Sequence, residues 1–292
     1  MMRKIENDYL SVGINEKGAE IFSITSKSTG VEYLWQGNPE YWSGRSPVLF
    51  PICGRLFNGK YTYNGIEYEM PIHGIARLFD FVVNCISKNE IELVLISSEE
   101  TKKYYPFDFK FSIHYILNDR ALDVGIKVEN MGDNDMYFSF GAHPGFNVPF
   151  TNNEKFEDYY IEFGKNEFNK LVFSDTCFCT GKTQEINLNQ NKLLLTHSLF
   201  DNDGVFLETE ADVIRLKNKN NNNAIEISYN DMTCLGFWHK PKSDAPYVCI
   251  EPWHGIPSDD GVIDDITTKK QMIKLESKRT YTNVYTIKII EK

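Results

Sequence analysis

Apolar and polar residues alternate along this chain with a period of two, and that pattern limits its fold more than any other feature. Leu122, Val124, Ile126 and Val128 alternate with Asp123, Gly125, Lys127 and Glu129, and the turn-forming run Asn130-Met131-Gly132-Asp133-Asn134 follows. Only an extended strand sends such residues to opposite faces, one built for a core and one for water. Residues 91–96, 109–115, 136–140, 160–163 and 282–290 read the same way. Short turn signals such as Asn64-Gly65, Asn118-Asp119 and Asn202-Asp203-Gly204 lie between such runs. The polar tract 217–223 separates two more of them and reads as an exposed hairpin tip. No long helical period is present; residues 38–44 and the stretch around Leu199 are expected to hold short helical turns. The pattern therefore predicts an all-β fold, a large antiparallel β-sandwich with few short helices. No linker or repeat interrupts it, so a single domain over residues 1–292 is expected, a length all-β domains commonly reach.

Composition narrows the class of function. A hydrophobic content of 41% in 292 residues suits a soluble globular protein able to bury a core without disulfides or metals. The net charge of −10 argues against nucleic acid and anionic membrane surfaces as partners. Neither a signal-peptide apolar stretch nor a run long enough to span a bilayer is present, so a cytoplasmic location is expected. The cysteines at 53, 85, 177, 179, 234 and 249 are scattered, and Cys177-Phe178-Cys179 is too close for a typical zinc half-site. They read as reduced and mostly structural, with no metal and no cofactor expected. Most of the aromatic residues, 14% of the chain, would fill a β core; others could stack on the apolar faces of pyranose rings.

Chemistry concentrates in a few Gly- and Pro-rich segments. In Gly141-Ala142-His143-Pro144-Gly145-Phe146 a histidine leaves a strand-like run on backbone that the following proline keeps extended. Glycine on either side lets another molecule approach closely. A core histidine in a turn would look similar. Val248-Cys249-Ile250-Glu251-Pro252-Trp253-His254-Gly255 repeats the design, with Glu251 at a strand exit before a proline. A carboxylate buried between apolar neighbours is costly unless paired, for instance with Arg55, or used. Two more segments, Pro51 to Gly59 with Pro71 to Arg77, and Phe200 to Phe206, supply Arg55, His73, Arg77, Asp201 and Asp203. A histidine and a glutamate on opposite sides of a small ligand suit concerted proton transfer, with arginines and a neutral histidine fixing hydroxyl groups. Trp253 and phenylalanines would offer a stacking face. No nucleotide fingerprint or serine nucleophile elbow is present.

The runs Phe50-Pro51-Ile52-Cys53-Gly54-Arg55-Leu56, His73-Gly74-Ile75-Ala76-Arg77, Gly141 to Phe146 and Ile250-Glu251-Pro252-Trp253 together resemble the aldose 1-epimerase (galactose mutarotase) family. The likeness is greatest to its LacX-like branch, related to hexose-6-phosphate epimerases, and spans nearly the whole chain. It implies a β-supersandwich with an open cleft on one sheet and a small-molecule sugar as partner, an aldohexose or its phosphate. It implies His143 as the catalytic acid at the ring oxygen and Glu251 as the base at the anomeric hydroxyl. His73 and Arg55 would bind substrate, Asp203 would hold distal hydroxyls with Asp201 close by, and Arg77 matches a position that could face a phosphate. The family commonly has a Pro-Gly turn before its final strand, where this chain has Glu276-Ser277-Lys278. A non-catalytic sugar-binding protein would keep Arg55 and Trp253 without needing both His143 and Glu251. A glycoside hydrolase using Glu251 and Asp203 would leave His143 unexplained.

Overall fold

In the computed structural model, which describes every residue except 165–167, 187, 189, 210 and 292, the alternating strands form two large sheets around one apolar cluster. Nine strands lie in the order Lys192–Leu194, Tyr159–Phe163, Val213–Asn218, Ala224–Tyr229, Thr280–Ile290, Ala121–Asn130, Phe109–Asn118, Glu90–Ile96 and Val82–Ile86. The second sheet runs Cys179–Glu185, Phe168–Phe173, Val205–Thr209, Cys234–Trp238, Tyr247–His254, Phe140–Ala142 and Val48–Leu49, with Gly145–Asn147 also pairing to Tyr247–His254. All these pairings are antiparallel, and short turns join sequence neighbours such as Phe109–Asn118 with Ala121–Asn130, while many other adjacent strands are far apart in sequence.

Burial follows the period read from the sequence. Leu122, Val124, Ile126 and Val128 are at most 3% exposed. They join Ile113 and Ile287 of the same sheet, and Val205, Leu207, Leu235, Phe237, Val248 and Ile250 of the other, in a shared core. Each such side chain contributes about 1.5–3 kcal/mol on burial, which is what holds the two sheets face to face. No helix among the described residues is long and apolar enough to cross a membrane.

The structure changes two details of the sequence reading. Residues 136–140 are two strands: Met136–Phe138 pairs with Ile273–Leu275, while Phe140–Ala142 enters the eight-stranded sheet. Ser139 is the joint, because its N–H donates to the Pro51 carbonyl (2.7 Å) and so leaves the ladder. An α-helix at Glu99–Lys102, not expected, starts from a capping box between Ser98 and Thr101. The expected helical turns occur as the 3₁₀ turn His197–Phe200 and as a turn in which Tyr41 and Trp42 both donate to the Asn38 carbonyl. The tract 217–223 caps the hairpin of Val213–Asn218 and Ala224–Tyr229. Glu276-Ser277-Lys278 closes its turn through Arg279 N–H on the Glu276 carbonyl, with Lys278 at φ 59°.

A third sheet of Met2–Glu6, Leu10–Asn15 and Ile21–Ser26 is fastened through Glu291. The hydroxyls of Ser26 (2.9 Å), Ser28 (3.1 Å), Thr29 (2.9 Å) and Tyr33 (2.8 Å) donate to this carboxylate, and Arg120 pairs with it. Burial alone would raise the Glu291 pKa; the hydroxyls of Tyr33, Ser26, Thr29 and Ser28 overcome that and hold it below the ordinary value. A depressed folded-state pKa gives stability that is complete above about pH 4.3 and fades as pH falls through the folded value. Glu291→Gln is expected to lose about 1.5–3 kcal/mol at pH 7, the scale of hydrogen bonds to a charged group. Urea melts at pH 7 and pH 3 should show that loss shrinking in acid; an equal loss at both would contradict this account.

Candidate active site

The strand Tyr247–His254 divides its side chains between two environments. Val248 and Ile250 join the core between the sheets, while Glu251 and Trp253 line a cleft of 340 Å³ on the other face. Strand periodicity therefore delivers a carboxylate and an indole to one site from a single element. His143 arrives from the adjacent strand Phe140–Ala142, which ends one residue before it.

Glu251 is 1% exposed and His143 8% exposed, and His143 Nε2 lies 3.2 Å from Glu251 Oε2. The contact has ion-pair distance without hydrogen-bond alignment; both Glu251 oxygens, and the other ring nitrogen His143 Nδ1, lack hydrogen-bond partners. The two groups touch each other; they do not face one another across a gap. Arg55 is not the partner of Glu251, since its Nη1 donates to the Thr176 carbonyl at 3.3 Å. Burial, and then the charge of Asp203, push the Glu251 carboxyl well above its usual range. Burial pushes His143 down to about 4, against the opposing effects of its own backbone and Asp203. The two shifts oppose each other across one contact, so the groups titrate as a coupled pair.

His73 sits in left-handed backbone at φ 64°, followed by Gly74 at φ 76°. Its Nδ1 accepts from the Gly54 N–H (3.2 Å), which assigns the ring proton to Nε2. Burial, with the charges of His143, Arg77 and Arg55, keeps it neutral well below its usual pKa. Its ring centroid is 5.2 Å from that of His143 and 5.5 Å from that of Trp253. Asp203, at φ 75° in the turn before Val205–Thr209, is gripped at both oxygens. Trp238 Nε1–H donates to Oδ1 (2.7 Å) and the Cys177 thiol to Oδ2 (2.7 Å).

Arg55, His73, His143, Asp203, Glu251 and Trp253 all line this cleft. Arg77 does not: it lies on the 3₁₀ turn Ala76–Leu78 with Nε donating to the Ile72 carbonyl (3.3 Å). Asp201 is exposed and lines an adjoining outer cavity. Trp253 is a buried floor, 2% exposed, whereas half-buried Trp42 and Trp238 form walls with centroids 5.1 and 5.9 Å from His143. Trp42, Trp238 and Cys177 were missed in the sequence. Glu251, expected at a strand exit, lies inside Tyr247–His254, because Trp253 and His254 still pair with the strands on either side; Trp238 ends a strand three residues before Pro241, and nothing local marked Trp42 or Cys177.

Two groups among the described residues have ligand atoms close enough to hold a metal ion: His143, Cys249 and Glu251 in the buried site, and Cys85, Glu90 and His114 elsewhere. Burial and Glu251 raise the Cys249 thiol well above its usual pKa, which keeps it protonated beneath the pair.

This architecture and cleft define a galactose mutarotase-like β-sandwich. A galactose mutarotase related enzyme from Lactobacillus acidophilus superposes with a TM-score of 0.94 at 34% identity, over 100% of this chain and 98% of that one. A galactose mutarotase-like protein from Lactobacillus casei superposes at 0.95 with 29% identity, over 99% and 100%. The chain belongs to the aldose 1-epimerase family, whose sequence model matches residues 1–288. Plasmid-encoded protein LacX of Lactococcus lactis is 29% identical over 96% of this chain and 98% of its own.

The His73 loop depends on Gly74. A Cβ there would lie 2.2 Å from the Phe50 carbonyl oxygen, whereas one at Gly65, φ 74°, meets nothing within 4 Å. Gly65→Ala should cost only the left-handed penalty of about 1–2 kcal/mol. Gly74→Ala should exceed about 4 kcal/mol, because backbone must move as well. Comparing the two in denaturant melts tests this, and equal costs would refute it.

Proposed function

We propose that the protein is an aldose 1-epimerase (mutarotase) that interconverts the α and β anomers of an aldohexose or hexose 6-phosphate. The observation that carries this reading is the buried contact between His143 Nε2 and Glu251 Oε2, 3.2 Å apart in the cleft. The anomeric hydroxyl and the ring oxygen of a pyranose are bonded to the same carbon. Two proton carriers that touch each other can therefore each reach one of those oxygens, which fits the observed contact better than an arrangement on opposite sides.

In the productive form His143 carries the proton and Glu251 is a carboxylate. Glu251 takes the anomeric hydroxyl proton as the C1–O bond becomes a carbonyl. The C1–ring oxygen bond breaks, its electron pair goes to the ring oxygen, and His143 protonates that oxygen. Rotation about C1–C2 and reclosure with the protons moving in reverse give either anomer. His73, neutral with its proton on Nε2, donates to a sugar oxygen. Arg55 and Asp203 hold remoter hydroxyls, Trp253 forms the floor, and Trp42 and Trp238 offer apolar faces. Arg77, outside the cleft lining, would meet only a long substituent such as a phosphate. The same reading treats residues 1–292 as one domain, since the core cluster draws on residues from Ile5 to Ile289.

A sugar-binding protein without catalysis is less well supported. Glu251 keeps both oxygens unpartnered at 1% exposure, a cost with no return unless a proton moves there.

Polarimetry or NMR on α-glucose, α-galactose and their 6-phosphates tests the activity; no acceleration over buffer for any of them ends the enzyme reading. His143→Ala and Glu251→Gln should each lower kcat by roughly 10²–10⁴-fold, the usual share of general acid–base catalysis. Variants as active as wild type would remove these roles while leaving the activity. The pH profile supplies a further check. A second proton on the pair goes to His143, pushed down to about 4, and leaves Glu251 unable to accept. The acid limb of kcat/KM should accordingly fall near pH 4, with a plateau through neutrality; a limb near ordinary histidine, about 6.5, would contradict it.

A further inference from the structure

Cys177 occupies the tip between the strands Phe168–Phe173 and Cys179–Glu185, with its own backbone at φ 64°. For a residue with a side chain that conformation costs about 1–2 kcal/mol, so neighbouring contacts must hold it. Cys177 N–H donates to the Ser174 carbonyl (2.8 Å), Arg55 Nη1 holds the Thr176 carbonyl (3.3 Å), and the Phe178 ring packs on Phe57 at 5.3 Å. The result is a thiol aimed into the cleft with Sγ 2.7 Å from Asp203 Oδ2. Burial, and then Asp203, push this thiol up to about 11, so at neutral pH it is a donor. Trp238 Nε1–H occupies the other oxygen (2.7 Å). A carboxylate clasped at both ends cannot turn, and its remaining lone pairs are free to accept from a ligand.

We propose that Cys177 is a positioning residue that sets sugar specificity: its thiol holds Asp203 turned to accept from a substrate hydroxyl remote from the reacting carbon. This rests on the mutarotase reading and deepens it. The substrate must carry a free hydroxyl at the position that meets Asp203, because a carboxylate repels a phosphate there. A remote hydroxyl contact is the same in ground and transition state, so its loss appears in KM and not in kcat.

The test uses the full chain and mutarotation of α-glucose and α-galactose. Cys177→Ala and Cys177→Gly both remove the thiol, and glycine also relieves the left-handed backbone, so at least one variant retains the fold. Both should raise KM roughly tenfold, the lower end for a hydrogen bond to a charged group, with kcat unchanged. Cys177→Ser, which keeps a donor, should recover most of the loss. In an Asp203→Asn background Cys177→Ala should add nothing, the mark of a residue acting through its neighbour. An unmoved KM in both thiol-less variants, an additive double mutant, or a fall in kcat instead would overturn the proposal.

An independent arm needs no activity. Iodoacetamide labelling read by mass spectrometry should modify Cys177 more slowly than exposed Cys85, and Asp203→Ala should accelerate labelling of Cys177 alone. An unchanged Cys177 rate refutes the contact. A wild type that accelerates no aldose overturns the mutarotase reading and this proposal with it. An active wild type with indifferent Cys177 variants overturns this proposal alone.

Discussion

A carboxyl group buried on a sheet against a histidine is the constraint around which this protein is arranged. Glu251 projects from a strand flanked on both sides by other strands, so its backbone cannot shift to bring the side chain to water. Among the described residues its ion-pair partner is His143, itself fixed by the short strand before it. Removing two ionisable groups from solvent together costs several kcal/mol per charge unless they share a proton. The core between the sheets offsets that cost, and its apolar side chains come from the same strands that carry the site. The packed core and the candidate site are thus divided between the two faces of a single sheet.

The cleft walls follow from the same division. Strand residues supply the parts that must not move: Glu251, Trp253 and Trp238. Loops supply the parts that need unusual backbone: His73 and Asp203 are both in the left-handed region. Such backbone persists only where its surroundings dictate it, and here hydrogen bonds from Gly54, Trp238 and Cys177 do so.

Much of this was legible in the sequence. The period of two around Leu122 to Val128 places each of those residues on the face it occupies, because burial of alternate side chains is what the pattern records. His143 and Glu251 stood out through the prolines after them, a local backbone signal. What stayed hidden was relational. Nothing near Cys177 says that its thiol will meet Asp203, 26 residues on, or that Glu291 will gather hydroxyls from the other end of the chain. Ser139 splits an apparently continuous strand because of a carbonyl on Pro51, also distant in sequence. Arg77 shares a sequence segment with His73 yet lies outside the cleft lining, since it sits on the 3₁₀ turn Ala76–Leu78 with Nε on the Ile72 carbonyl.

The strand Thr280–Ile290 lies in the middle of the nine-stranded sheet, between Ala224–Tyr229 and Ala121–Asn130. It is also synthesised after every other strand of that sheet. Until it emerges from the ribosome, the nascent chain carries two partial sheets, each ending in an unpaired edge of the kind that recruits other strands. The closing strand acts as a keystone, and a ribosome that stalls shortly before residue 280 leaves a polypeptide with nearly all of its β-structure encoded and the gap still open.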